Sequence, residues 1–225
     1  MSRSSLVDVV VLSPNCTKPR NNKISKITIH HMAGNLTAEQ CGSVFKPSSR
    51  QASSNYGVDT NGRVGLYVEE ENRSWASSNP ANDHMAVTIE VANDGGANWH
   101  VSDKALEKTI ELCVDICKRN GIEKLNFTGD KNGNLTMHKY FAATSCPGQY
   151  LESKFPYIAE EVNKRLSGKV ESSSSSIELE TVNDIVWSLN RRGIMTNKEL
   201  WLKKLEEDEA AYWLARKCAN MTVNK

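Results

Sequence analysis

The chain has 225 residues, of which 39% are hydrophobic and 24% are charged, and its formal net charge is +1. This composition is typical of a globular protein with one domain of ordinary size and a small appendage. The near-neutral charge gives no general attraction to nucleic acid or anionic lipid, so neither is expected as a partner. No apolar run approaches the roughly 20 residues that a membrane-spanning helix needs, so we expect no membrane insertion.

The first part of the chain alternates between strand-like and helix-like patterns. ITIHH at 27–31 is short and β-branched, which predicts a buried strand. Thr37 and Gln40 form a capping-box pattern, so a helix is expected to begin there and to end before Pro47. The other elements predicted here are a hairpin with strands at 56–60 and 64–68 around Asn61-Gly62, a strand at 86–93, a helix at 102–120 and a helix at 156–166. An α/β layer fold is therefore predicted for residues 1–167.

The composition changes after residue 167. Residues 168–180 are rich in serine and are predicted to be a flexible linker. Residues 181–225 are charged, contain Leu and Trp, and are predicted to form a small helical domain. A core of this size is marginal by itself, so self-association through these helices is one expectation.

Two histidines and one cysteine suggest a metal site. His138 and Cys146 lie eight positions apart in MHKYFAATSCPG, and His30 and His31 close the predicted strand about a hundred residues upstream. Zinc favours imidazole nitrogen and thiolate sulfur, and a catalytic zinc site uses three protein ligands with a fourth position left for water. The spacing does not match the short structural zinc motifs, so the pattern alone also permits a structural His–Cys pair. The pair Cys113 and Cys117 lies in a helical pattern and is better explained by packing.

Glu90 occurs in the middle of a predicted strand whose neighbours are apolar. A carboxylate in such a place is costly unless it has a partner. The alternative is an outward-facing residue on an edge strand. Trp75 and Trp99 also allow two interpretations. Each could line a sugar or peptide groove, or it could be partly buried in the core.

Four motifs follow one another along the chain, in the order IHHMAG, SSNYGVDTNG, AVTIEVAN and MHKYFAATSCPG. Over residues 22–166 the chain resembles the zinc-dependent N-acetylmuramoyl-L-alanine amidases of the type-2 amidase and peptidoglycan-recognition-protein family. The resemblance implies an α/β fold in which a central mixed β-sheet is flanked by helices, with a zinc site in a groove on one face. It also implies that the C-terminal helical domain is an appendage to this fold.

The resemblance implies that Zn²⁺ is held by His30, His138 and Cys146. His31 follows the first ligand, and strand alternation places it on the opposite face, where a hydrogen-bonded or core role is expected. The reaction expected from the resemblance needs a water molecule activated by the metal and a base that accepts its proton.

The resemblance assigns catalytic roles to three further residues. Glu90 matches a glutamate that some members place near the metal, which makes it the candidate general base. Tyr56 in the NYG motif is expected to donate to the developing oxyanion, although a half-buried strand aromatic is the alternative. Thr144 stands where several members have a lysine, and its hydroxyl can donate a hydrogen bond but carries no charge.

The expected function is therefore that of an endolysin or autolysin that hydrolyses the amide between N-acetylmuramic acid and L-alanine in bacterial peptidoglycan. The N-terminus shows no ordinary export signal, because its apolar run is short and interrupted by Asp8. The chain is thus expected to be made in the bacterial cytoplasm and to reach the cell wall after phage lysis or by non-standard export. The C-terminal domain is expected to bind the wall or to self-associate. The alternatives are a non-catalytic peptidoglycan-binding module and a cytosolic amidase that recycles muropeptides.

Overall fold

The computed structural model describes residues 3–168 and three further helical residues, Val186, Trp201 and Lys203. The chain divides into two compact units, Met1–Gly168 and Lys169–Lys225. The predicted linker and C-terminal helical domain lie outside the described residues, apart from Gly168 and the three isolated positions. None of the helices in the described residues has the length and apolar character needed to cross a membrane.

A mixed sheet forms the centre of the first unit. The strands are β1 (Val7–Val10), β2 (Cys16–Thr17), β3 (Lys26–His31), β4 (Tyr56–Val58), β5 (Val64–Leu66), β6 (Arg73–Ser74), β7 (Ala86–Val91) and β8 (Leu135–Met137). Six of them form one sheet in the order β1-β5-β4-β7-β3-β8, whereas β2 and β6 form a separate antiparallel pair. Only the β4–β5 hairpin is antiparallel within the six-stranded sheet, so the mixed sheet expected from the sequence is confirmed.

Helices cover both sides of this sheet. They are α1 (Ala38–Phe45), α2 (Pro80–Met85), α3 (Asp103–Asn120) and α4 (Gln149–Leu166). The capping box at Thr37 and Gln40 is present, and α3 begins after the capping residue Ser102, as the sequence predicts. Both boundaries are set by local hydrogen bonds, which is why the sequence pattern was sufficient to predict them.

Two predicted boundaries are wrong. Helix α4 begins at Gln149 and carries Pro156 in its interior, because Leu151 and Phe155 are fully buried and their packing outweighs the cost of the proline. The hairpin strands end at Val58 and resume at Val64, so the connection is longer than the Asn61-Gly62 pair predicted. The carboxylate of Asp59 organises this loop by accepting from the backbone N–H groups of Asn61 at 2.9 Å and Arg63 at 3.0 Å.

The two faces of the sheet have opposite character. Ile27 and Ile29 of β3 lie in the apolar core that α3 and α4 cover. Thr28 and His30 alternate with them and therefore face the other side. On this second face, Cys41 and Phe45 of α1 pack against Tyr67, which follows β5. The candidate site residues of β3 and β7 lie on the same face.

Buried hydroxyl and amide groups form a polar layer on the second face. Thr28 and Thr136 are linked through their hydroxyl groups at 2.9 Å, and Asn82 donates to the Thr28 hydroxyl at 3.0 Å. Thr88 and Ser74 are joined in the same way at 2.7 Å. These hydrogen bonds satisfy groups that would otherwise be costly to bury, and they link β3 to β8 and α2, and β7 to β6.

Candidate metal centre

Three side chains from separate parts of the chain meet at the carboxyl ends of β3 and β8. His30 is the fifth residue of β3, His138 directly follows β8, and Cys146 lies in the loop before α4. One ring nitrogen from each histidine and the Cys146 sulfur all lie within 4.8 Å of one another. The two imidazole rings are 4.7 Å apart between centroids. The structure thus brings together the three ligands expected from the sequence.

The surroundings of His30 and His138 favour the neutral imidazole, which is the form that binds a metal. Burial, with help from the neighbouring histidines, holds the pKa of His30 well below its ordinary value, and burial also lowers the pKa of His138. Their Nε2 atoms are buried and have no hydrogen-bond partner among the residues that the structure describes. Buried polar atoms of this kind are costly unless a ligand satisfies them. The donor set of two imidazoles and one thiol fits a zinc ion, with a fourth position free.

Cys146 contributes the sulfur from a well-held loop. Its Sγ accepts from the backbone N–H of His31 at 3.4 Å, and its own N–H donates to the Thr144 hydroxyl at 3.2 Å. Burial and the nearby Glu90 carboxylate raise the pKa of the Cys146 thiol to about 12. A metal cation reverses this balance, because a coordinated thiol loses its proton.

Glu90 stands beside the cluster, as the sequence analysis expected. It pairs with His30 in the register of β7 and β3, so both side chains point to the same face. Burial raises its pKa to about 8, and the Arg50 guanidinium partly opposes this rise. Glu90, Thr144 and the three proposed ligands all line one cavity of about 520 Å³.

Tyr56 does not belong to this group, so the role expected for it is wrong. It pairs with Ile89 in the register of β4 and β7, on the apolar face. Its hydroxyl donates to Glu70 at 2.6 Å and accepts from the Ser4 backbone N–H at 3.0 Å, and the side chain is fully buried. The alternation of β4 thus directs the phenol away from the cavity. Its neighbour Gly57 pairs with Glu90 instead.

The other three histidines lie outside the cluster. Strand alternation was expected to turn His31 to the opposite face, but His31 closes β3 and lines the same cavity as the proposed ligands. Its ring lies edge-on to Trp99 at 5.0 Å between centroids, and it is not one of the clustered residues. His84 accepts from the Asn21 backbone N–H, and His100 pairs with Asp94.

Three charged residues of the cavity, Arg50, Arg73 and Asp83, were not predicted from the sequence, and two of them lie near the proposed site residues. Arg50 lines the cavity near Glu90, and Asp83 lines it near His138, whose pKa it partly supports. The Asp83 carboxylate accepts from the Ser77 hydroxyl and from the backbone N–H groups of Ala76 and Ser77. Neither residue belongs to a recognisable spacing pattern, so no signal in the sequence pointed to them.

The fold and the site together define an α/β protein with a His-His-Cys cluster that could hold one metal ion. The sequence pattern of the N-acetylmuramoyl-L-alanine amidase family matches residues 20–149, and the chain belongs to this family. The matched segment contains His30, Glu90, His138 and Cys146. The family is generally zinc-dependent, and the His-His-Cys cluster is a site at which this chain could hold the metal.

Individual relatives agree with this assignment. The N-acetylmuramoyl-L-alanine amidase CwlA of Bacillus subtilis (strain 168) is 24% identical over 166 residues, which span 71% of this chain and 57% of CwlA. The structure of PlyL superimposes with a TM-score of 0.54 at 17% identity, covering 68% of this chain and 94% of PlyL. AmpD gives a TM-score of 0.54 at 15% identity and covers 70% of this chain and 96% of AmpD. At such identities the structural similarity establishes the shared fold.

Proposed function

We propose that this protein is a zinc-dependent amidase that hydrolyses the bond between N-acetylmuramic acid and L-alanine in bacterial peptidoglycan. The observation that carries the proposal is the His30, His138 and Cys146 cluster beside Glu90, within the segment that matches the amidase family. When bound there, a zinc ion would acidify a water molecule and polarise the amide carbonyl. The residues around it perform the other steps.

Glu90 is the general base of this proposal. It shares the sheet face and the cavity with the three proposed ligands, so its carboxylate borders the space in which a metal-bound water would lie. A carboxylate accepts the proton as water attacks the carbonyl carbon, and the resulting acid returns it to the leaving amine. A pKa raised towards neutrality suits both steps, because the group must gain and lose the proton in one cycle.

Stabilisation of the oxyanion falls to groups that line the same cavity. The Thr144 hydroxyl accepts from the Cys146 N–H and keeps its own proton free to donate. Arg50 brings a positive charge to the cavity, which the Thr144 hydroxyl lacks. Tyr56 plays no part in this proposal.

The proposed substrate also indicates the partner of the protein and the place where it acts. Peptidoglycan is the proposed macromolecular partner, and nucleic acid is not. We propose that residues 181–225 bind the cell wall or self-associate. We also propose that the protein reaches the wall after phage lysis or by non-standard export.

Digestion of purified peptidoglycan tests the reaction. New L-alanine amino termini without new reducing sugars are expected, because an amide and not a glycosidic bond is cleaved. Glu90→Gln is the matched control and should lower the rate by ~10²-fold or more at unchanged zinc content. A parent protein that contains no zinc and produces no new termini would identify a peptidoglycan-binding module instead.

A further inference from the structure

A second cavity adjoins the metal centre on the other side of the Cys146 loop. Its volume is about 740 Å³, within the range of small-ligand sites. Ser145 and Gly148 line it, and they flank Cys146 in the sequence. The other lining residues that matter here are Asn35, Asn93, Asn98 and Trp99. The two cavities therefore border the same loop, which contributes Thr144 and Cys146 to one and Ser145 and Gly148 to the other.

Trp99 lines the cavity from a loop that is fixed by several contacts. Its side chain remains 46% exposed, although it is a large aromatic residue. Gly148 lies against it so closely that a Cβ there would approach the Trp99 Cβ to 2.7 Å. The amide of Asn93 donates to the Trp99 carbonyl at 2.8 Å, and the His31 ring supports the indole from one edge. An exposed indole that is held in this way is a preformed contact surface.

The backbone of this loop is strained where the indole is presented. Asn98 has φ of 58° and Trp99 has φ of 60°, in the left-handed region that residues with a side chain rarely adopt. Two such residues in succession persist only when surrounding contacts enforce them, and they are concentrated at ligand sites.

The chemistry of the cavity is polar but without a free charge. Asparagine amides line it, and its Lys139 is paired with Glu152 at 2.9 Å. By contrast, charges of both signs line the cavity that holds Glu90. Arg50 and Arg73 form no ion pair with a carboxylate within the described part of the chain, and the cavity also contains Asp83. The two cavities thus differ in character, because the one beside Cys146 offers uncharged amides and the other offers charged groups.

We propose that the cavity beside Cys146 binds a sugar ring of the glycan strand, with Trp99 as the surface on which the ring stacks. One face of a pyranose ring carries C–H groups that meet the electron-rich face of an indole, while amide groups pair with hydroxyl and acetamido groups. The stem peptide, which carries carboxylates, then lies towards Arg50 and Arg73. The inference rests on the proposed function only in taking peptidoglycan as the substrate.

Fluorine NMR of the full chain labelled with 5-fluorotryptophan tests the inference at the residue itself. The chain contains five tryptophans, and the Trp99 signal is assigned by its loss in Trp99→Tyr. A peptide-free tetrasaccharide of alternating N-acetylglucosamine and N-acetylmuramic acid should shift the Trp99 signal saturably. The matched control is Trp75, which lines the Glu90 cavity and should respond to a free stem peptide instead. A Trp99 signal that the tetrasaccharide leaves unchanged, or that only the peptide shifts, overturns the inference.

Kinetics on peptidoglycan give a second, independent result. Trp99→Ala should raise KM by about tenfold or more, as the loss of a tryptophan anchor usually does, and should change kcat little. Trp99→Tyr should keep most of the affinity because it keeps an aromatic surface. Equal KM values for the parent and Trp99→Ala overturn the inference while leaving the amidase proposal intact. A saturable Trp99 shift without hydrolysis supports the sugar site and refutes the amidase proposal.

Discussion

The Cys146 thiol is the proposed ligand whose protonation changes most on metal binding. Its pKa of about 12 keeps it protonated in the metal-free protein, whereas burial already holds His30 and His138 neutral. A metal that binds the thiolate must displace this proton.

We therefore expect Cys146→Ser to bind zinc more weakly and to release about one proton fewer than the parent on binding. Calorimetry at pH 7 in two buffers of different ionisation enthalpy measures both quantities. His31→Ala is the control and should still bind zinc, because His31 faces Trp99 rather than the cluster. A His31→Ala protein without zinc, together with a His30→Ala protein that keeps it, would show that the ligand assignment is wrong.

Glu90 makes the stability of the metal-free protein depend on pH. Its pKa rises from the ordinary value of 4.5 to about 8 on folding, so the folded state holds the proton more tightly. Stability is then full below about 4.5, falls as the pH rises towards 8 and stays lower above it. The cause is the cost of burying the ionised carboxylate.

Glu90→Gln should remove this cost, because the amide stays neutral at every pH. In metal-free protein, we expect the variant to raise Tm relative to the parent more at pH 9 than at pH 5. Thermal unfolding followed by circular dichroism at the two values measures the difference. If Glu90→Gln changes Tm by the same amount at pH 5 and at pH 9, then ionisation of the Glu90 carboxylate does not destabilise the folded protein.

At the scale of the elements, the alternation of β4 decides what Tyr56 does. Its hydroxyl lies between Ser4 and the fully buried Glu70, which also receives two hydrogen bonds from Arg119. This arrangement links the N-terminal segment, β4 and α3 on the face opposite the cavity. The residue therefore contributes to stability.

Tyr56→Phe should lower the free energy of unfolding by about 1–3 kcal/mol, because a buried carboxylate and a buried N–H each lose a partner. The kcat should stay within about twofold of the parent, since the phenol is remote from the ligands. Urea unfolding and steady-state hydrolysis at a temperature where both proteins are folded give the two numbers. A large loss of kcat with unchanged stability would restore the catalytic role that the sequence analysis expected.

At the scale of the whole molecule, every proposed ligand and catalytic group lies in the unit Met1–Gly168. A chain that ends at Gly168 should therefore keep its zinc and cleave soluble muropeptides. It should lyse intact cell walls poorly, because residues 181–225 are proposed to supply wall affinity or self-association, and linked sites can gain ~10²–10⁴ in avidity.

Zinc content, muropeptide hydrolysis and turbidity of intact cells, each compared with the full chain, measure these effects. The isolated residues 169–225 should bind cell walls or form an oligomer in light scattering. Equal lysis by the truncated and full chains, with an inert and monomeric C-terminal peptide, would remove both roles proposed for that region.

Much of this molecule follows from local sequence. The caps of α1 and α3 and the buried strands β3 and β7 depend on contacts between residues close in the chain, so their patterns were sufficient. The three proposed ligands were identified from motifs that follow one another along the chain, and in the fold the side chains of these three residues lie together. The early start of α4 was missed because long-range burial of Leu151 and Phe155 decides it.

The tertiary structure alone decided the surroundings of the ligands. The direction of Tyr56 depends on the register of β4 against β7, which no local pattern encodes. Arg50 and Trp99 reach the two cavities from the connections between the main elements, and Asp83 reaches one of them from α2, and the positions of these segments are set by packing against distant parts of the chain. The sequence by itself thus determined the family and supplied the proposed ligands and the candidate base, because these reside in motifs. The cavity walls, the direction of each side chain and the charge around the ligands required the folded chain, because they arise from contacts between residues far apart in sequence.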